Sequence, residues 1–116
     1  MAITLFGIPN CDTMKKARRW LEANDVLYSF HDYKKLGIPE DELKRWVKII
    51  GWEVLLNRRG TTWRKLDDAT KNNIDEASAI KVMMENPSAI KRPVLEIDDQ
   101  LLVGFSEDTY KEAFNK

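Results

Sequence analysis

The sequence predicts an α/β fold: one mixed four-stranded sheet with flanking helices, in the order β-α-β, a helical middle, then β-β-α. Three observations carry this prediction. Residues 2–6 (Ala-Ile-Thr-Leu-Phe) form a short apolar run closed by Gly7, Pro9 and Asn10, after which the apolar period becomes helical from Met14 to Leu21. A second strand-like run covers residues 26–32. A helix lies between the two strands, so they should be parallel, with a right-handed crossover. Near the other end, Val94–Ile97 and Leu101–Val103 flank the short turn Asp98-Asp99-Gln100, the pattern of an antiparallel hairpin.

The elements follow from local chemistry. In the first helix Met14, Ala17, Trp20 and Leu21 share one face, while Lys15, Lys16, Arg18 and Arg19 form a basic, solvated one. Gly37-Ile38-Pro39 opens the next helix, with Glu40, Asp41 and Glu42 at its positive end. Leu43, Trp46, Val47 and Ile50 follow at helical spacing and Gly51 stops it. One more helical turn is expected at 52–56, then a loop from Asn57 to Thr62. A helix over about 74–85 should turn Ile74, Ala77, Ile80 and Met84 inward and end at Asn86-Pro87. Ser106 is a good N-cap for the closing helix, with Glu107 and Asp108 in its first turn. A thioredoxin-like sheet accounts for this order, with residues 39–90 as a helical insertion.

At 116 residues the chain suits a single domain, 1–116, able to bury a core without disulfides. Nineteen basic and nineteen acidic side chains cancel, so no global field favours nucleic acid or an anionic membrane. No apolar run approaches the ~18–20 residues needed to span a bilayer, and the N-terminus lacks a signal-peptide layout. One cysteine and one histidine, His31, exclude an internal disulfide and a zinc cage, so no metal is expected. A reducing, cytoplasmic compartment is the expected location.

That one cysteine, Cys11, is the first candidate for chemistry. A free cysteine is often only a small buried hydrophobe. Cys11 instead follows Pro9-Asn10 in a strand-to-helix loop, off the apolar stripe. The N–H groups and positive dipole end of a helix N-terminus stabilise a thiolate there, and Asn10 and Thr13 can offer polar contacts to a bound anion. Met14 stands where a second cysteine would complete a C-x-x-C pair. Arg92-Pro93 is the second feature. An X-Pro bond just before a strand of such a sheet is a candidate cis peptide facing the cysteine loop. Arg92 would then lie near Cys11, where its guanidinium can stabilise the thiolate and bind an oxyanion; Lys91 is expected to be solvated. Arg58 and Arg59, in a loop with Gly60 and Thr61, are the third candidates, although adjacent arginines are usually surface charges. His31 reads as a structural histidine, and Trp20 and Trp46 as core.

Three segments, Gly7-Ile-Pro-Asn-Cys11-Asp-Thr-Met-Lys-Lys-Ala17, Leu55-Leu-Asn-Arg-Arg-Gly-Thr-Thr-Trp-Arg64 and Arg92-Pro-Val94, together resemble the arsenate reductase (ArsC) family. The resemblance spans essentially the whole chain. It is strongest to the small YffB-like branch, which is also related to the Spx and MgsR regulators. It implies a thioredoxin-like fold and a cysteine nucleophile that uses glutathione or glutaredoxin as reductant. Carried over, the nucleophile falls on Cys11, one anion-binding arginine on Arg92, and another on Arg58 or Arg59, the loop register leaving both open. Two departures stand out: no arginine occupies Val103-Gly104-Phe105, and no histidine occupies Phe6-Gly7-Ile8 before the cysteine. The resulting expectation is a monothiol reductase with no bound cofactor, acting on a small oxidised thiol or an oxyanion with glutathione as co-substrate. The alternatives are a full glutathione- and glutaredoxin-dependent arsenate reductase, or an Spx-like non-catalytic regulator that docks on RNA polymerase. Spx proteins that switch by redox typically use C-x-x-C, which Cys11 and Met14 cannot form.

Overall fold

The computed structural model describes residues 2–116. By internal contacts the chain forms two compact units: a sheet unit made of residues 2–32 and Arg92–Lys116, and a helical unit, Tyr33–Lys91.

In the sheet unit, β1 (Ile3–Gly7), α1 (Asp12–Ala23), β2 (Ser29–Asp32), β3 (Val94–Ile97), β4 (Gln100–Val103) and α8 (Glu107–Phe114) build one four-stranded sheet in the order β2-β1-β3-β4. β1 pairs with β2 in parallel and with β3 antiparallel, and β3 with β4 antiparallel, so the sheet is mixed as predicted. β2 begins later than expected, at Ser29. Asp25 takes a left-handed φ of 57° and the Val26 N–H returns to Leu21 O at 2.9 Å, which leaves Leu27 92% exposed before the strand starts. The β3–β4 turn is tighter than expected, with only Asp98 and Asp99 outside the strands. Ser106 caps α8 as predicted, its Oγ accepting from Thr109 N–H at 3.1 Å.

Burial explains why α1 lies on the sheet. Met14, Ala17, Trp20 and Leu21 pack with Leu5, Leu95, Ile97 and Tyr110 into one apolar cluster. Each large side chain buried there is worth roughly 1.5–3 kcal/mol. Arg18 departs from the solvated face expected for it. Its Nε donates to Tyr28 Oη at 3.0 Å and its guanidinium lies 4.6 Å from the Phe30 ring centroid. Amphipathic spacing placed it outside, but its long stem reaches over to the aromatic pair.

Tyr110 is fully buried, and its hydroxyl has no hydrogen-bond partner among the described residues. The low-polarity surroundings push its pKa well above the ordinary tyrosine value. An unsatisfied buried hydroxyl costs about 1–3 kcal/mol. Tyr110→Phe is therefore expected to stabilise the protein by about 1 kcal/mol, a rise in Tm of about 4 °C, measured by thermal denaturation. A fall in Tm would mean that the hydroxyl is satisfied.

The helical unit contains α2 (Tyr33–Leu36), α3 (Glu40–Ile50), α4 (Trp52–Leu55), α5 (Thr61–Arg64), α6 (Asp68–Asn72) and α7 (Glu76–Glu85). It starts before the expected residue 39, because Tyr33–Leu36 already coils and closes with Gly37 N–H on Tyr33 O at 2.8 Å. The predicted Asn57–Thr62 loop is shorter than expected, since α5 begins at Thr61; neither α5 nor α6 has the apolar period that would reveal it. The inward face of α7 also differs from expectation. Ala79, Val82 and Met83 are buried, whereas Ala77 is exposed and Ile74, Ile80 and Met84 are only partly covered. Apolar residues surround this helix, so periodicity alone could not choose a face. Its start is set by Asp75, whose Oδ1 accepts from Ser78 N–H while Ser78 Oγ accepts from Asp75 N–H, both at 2.9 Å.

The C-terminal end of this unit is tied to its middle and to its start. Leu56 bridges Ile90 antiparallel, Asn57 N–H donates to Ala89 O and Lys91 N–H to Leu55 O, each at 2.8 Å. The buried Tyr33 hydroxyl donates to Ile90 O at 2.9 Å. Among the described residues no helix is long and apolar enough to cross a membrane.

Candidate active site

Cys11 is the N-cap of α1. Its backbone is extended (φ −137°, ψ 130°), and its carbonyl accepts the first helical hydrogen bond, from Lys15 N–H at 3.0 Å. Non-helical dihedrals at this position turn the side chain back over the first turn, towards N–H groups with no helical partner. The thiol is partly buried and makes no formed capping bond. Even so, those N–H groups are close enough to act on the charge of a thiolate.

Burial pushes the Cys11 thiol up. It is outweighed by the Met14 N–H, by a hydrogen bond from the Arg92 side chain, by the Thr13 N–H and by the positive charge of Arg92. The net result lies below the ordinary cysteine value, which favours the nucleophilic form.

Sheet pairing delivers Arg92. β1 ends beside the cysteine loop, and Phe6 pairs with Val94, so the residues just ahead of β3 arrive at the same end of the sheet. The Arg92-Pro93 peptide is cis, in agreement with the sequence reading. The Pro93 carbonyl accepts from Gly104 N–H at 2.8 Å, which joins the segment after β4 to the same end.

Gly7 has a role that the sequence reading missed. It is the last residue of β1, and a Cβ there would run into the Met14 Sδ and Cε atoms. A larger residue there would have to displace the buried Met14 side chain. Met14 is fully buried, so the position where a second cysteine would stand belongs to the core. Its backbone N–H is one of the groups that lower the Cys11 pKa. That contribution was available in principle from its place three residues after the N-cap.

The structure thus brings together Cys11, the backbone of Thr13, Arg92 and Pro93. Asn10 is exposed beside Cys11 in the loop. Arg58 and Arg59 belong to the helical unit. There both are exposed and line a cleft of 360 Å³ with Glu53, Leu56, Asn57 and Lys91. Arg58 lies 5.5 Å from the Trp52 ring centroid, and Arg59 N–H donates to Asn57 Oδ1 at 3.1 Å. Lys91 is exposed, as expected. His31 lies on β2 opposite Phe6, with ring centroids 5.0 Å apart. Gly104 has a φ of 82° and no atom within 4 Å of a would-be Cβ, so the position is open but its backbone suits glycine.

The ArsC family model matches residues 6–113. The solved YFFB protein is 54% identical, with a TM-score of 0.93 over 97% of this chain and 98% of that one. An arsenate reductase (ArsC) related protein from Brucella melitensis is 52% identical, with a TM-score of 0.79 over 100% of this chain and 97% of its own. The global transcriptional regulator Spx of Streptococcus mutans is 31% identical over 91% of this chain and 78% of its length. With its mixed sheet and its cysteine at the head of α1, the chain belongs to the ArsC family.

Proposed function

We propose that the protein is a glutathione-dependent monothiol reductase with Cys11 as nucleophile. One observation carries this reading: Cys11 at the head of α1 has its pKa lowered by helix N–H groups and by the Arg92 guanidinium. The Cys11 thiolate attacks one sulfur of an oxidised substrate, forming a mixed disulfide and expelling the other sulfur as a thiolate. With Met14 in place of a second cysteine, an external thiolate must then attack the mixed disulfide and release Cys11. Glutathione or a glutaredoxin would supply that thiol. Arg92, with the polar groups of Asn10 and Thr13, would hold the carboxylates of glutathione or an anionic intermediate.

The test is mass spectrometry after treatment with oxidised glutathione. One glutathione adduct is expected on wild type and none on Cys11→Ser. A wild type without adduct at pH 7–8 would remove the reading.

Likeness to Spx favours a second reading, a non-catalytic regulator that docks on RNA polymerase. Capture of polymerase by Cys11→Ser as well as by wild type, together with an inert Cys11, would support it instead.

A further inference from the structure

A groove of 680 Å³ runs along α1 in the sheet unit, lined by Lys16, Arg19, Trp20, Ala23, Phe105 and Glu107, with Ser106 between the last two. Its size falls in the range of about 300–1,000 Å³ typical of ligand sites. Both walls belong to segments that start from the Cys11 end of the sheet. One is α1 itself, whose N-cap is Cys11. The other follows Gly104, which is bonded to the Pro93 carbonyl. At about 1.5 Å per helical residue, Arg19 lies roughly 12 Å along the axis from Cys11.

The chemistry of this groove is specific. Trp20 is 8% exposed and Phe105 is half-buried, and each rests edge-to-face on Tyr110, so the apolar floor is held rigidly. Lys16 and Arg19 are exposed, and among the described residues neither is in an ion pair or a side-chain hydrogen bond. Glu107 is the single opposing charge in the lining, and Lys15 adds a further exposed cation on α1. Elsewhere the exposed charges of the sheet unit are mixed but mainly acidic, Asp98, Asp99, Glu107, Asp108 and Glu112 against Lys111 and Lys116. The basic face of α1 is thus a local positive strip over an aromatic floor, on the helix that carries the reactive sulfur at its N-cap.

We infer that this groove docks an acidic polypeptide segment bearing an apolar side chain, and so presents that polypeptide's disulfide to Cys11. The inference rests on the thiol-exchange reading above and names its partner as a polypeptide. Carboxylates lie on Lys16 and Arg19, and the apolar side chain lies on Trp20, Ala23 and Phe105. In the reaction, Cys11 thiolate attacks the glutathione sulfur of a peptide–glutathione mixed disulfide. A Cys11–glutathione disulfide forms and the peptide sulfur leaves as thiolate. Complementary charge raises the encounter rate, and salt screens it.

The probes are two synthetic peptides, each carrying one cysteine as its mixed disulfide with glutathione. Each has a leucine and two charged residues three to six positions from the cysteine on both sides, a reach that includes about 12 Å of extended chain. One peptide has glutamates and the other lysines. Wild type is expected to release thiol from the acidic peptide about tenfold faster at low salt, with the preference falling at 0.5 M salt. Lys16→Glu/Arg19→Glu should lose or reverse the preference, with its iodoacetamide alkylation midpoint unchanged. Lys111→Glu/Lys116→Glu, an equal charge change on exposed positions of α8 and the C-terminus, should keep it. Equal rates for the two peptides, insensitivity to salt, or equal effects of the two double variants would overturn the inference. So would an equal loss with oxidised glutathione alone. Transfer without preference removes only the groove, whereas a wild type inert to both peptides and to oxidised glutathione removes the thiol reading as well.

Discussion

Arg92→Ala is expected to raise the pH midpoint of Cys11 alkylation by iodoacetamide and to slow glutathionylation at pH 7 about tenfold. The guanidinium acts twice on the sulfur, by a hydrogen bond and by its charge. A hydrogen bond to a charged group contributes about 1.5–3 kcal/mol, and 1.4 kcal/mol is a factor of ten. The lower end of that range applies, since the thiol is only partly buried and a more basic thiolate is intrinsically a better nucleophile. The sign follows from the direction of the shift. The wild-type pKa is depressed, so thiolate is present below the usual cysteine range, and losing the cation moves its appearance to higher pH. Arg92→Lys should recover part of the effect, returning the charge without the planar fork. Lys91→Ala, one residue away and exposed, should change neither quantity. Equal effects of Arg92→Ala and Lys91→Ala would reduce the contribution to general surface charge. A wild-type midpoint at or above about 8.5 would remove thiolate activation altogether.

Arsenate turnover by the wild-type protein with glutathione and glutaredoxin is expected to be absent or far below about 1–10 per second, the range of an ordinary enzyme. A tetrahedral oxyanion needs several positive groups converging on it, whereas disulfide exchange needs only an accessible thiolate. The resemblance implies a third arginine near the end of the last strand, where this chain has Val103-Gly104-Phe105. The structure sharpens the point, because Gly104 has a φ of 82°. An arginine there would have room but would hold a left-handed backbone at a cost of about 1–2 kcal/mol. Losing one charged contact costs roughly 1.5–3 kcal/mol, about one to two decades of affinity. Under the same conditions the mixed disulfide at Cys11 should still form. Steady-state turnover decides the matter: a kcat of about 1–10 per second would show that the third arginine is dispensable, and would rank arsenate reduction above thiol exchange.

Much of the site was legible because its parts are local. The change of apolar period after Phe6 placed Cys11 between a strand and a helix, and a residue at that junction becomes an N-cap whatever packs around it. Ser106 and the β3–β4 hairpin were legible for the same reason, since caps and tight turns depend on a few neighbouring residues. The Cys11–Arg92 pairing was legible at one remove. It required a sheet in which β1 and β3 are neighbours, an assumption that the β-α-β and β-β-α order supported.

Other features depended on partners distant in the chain. The buried face of α7 could not be read from a helix that is apolar on most sides, because only contact with other elements distinguishes Ala79, Val82 and Met83 from Ala77, Ile80 and Met84. Arg18 looked like its neighbours Lys16 and Arg19 until folding brought Tyr28 and Phe30 beneath it. Gly7 read as a turn glycine, yet its constraint is the Met14 side chain arriving from the next element. The sequence by itself determined the order of the strands, the caps of α1 and α8 and the position of the reactive sulfur, since these follow from backbone preference and apolar period. Tertiary structure decided which face of α7 is buried and which cations keep their charge free for a partner, because burial and pairing there are set by what meets in space.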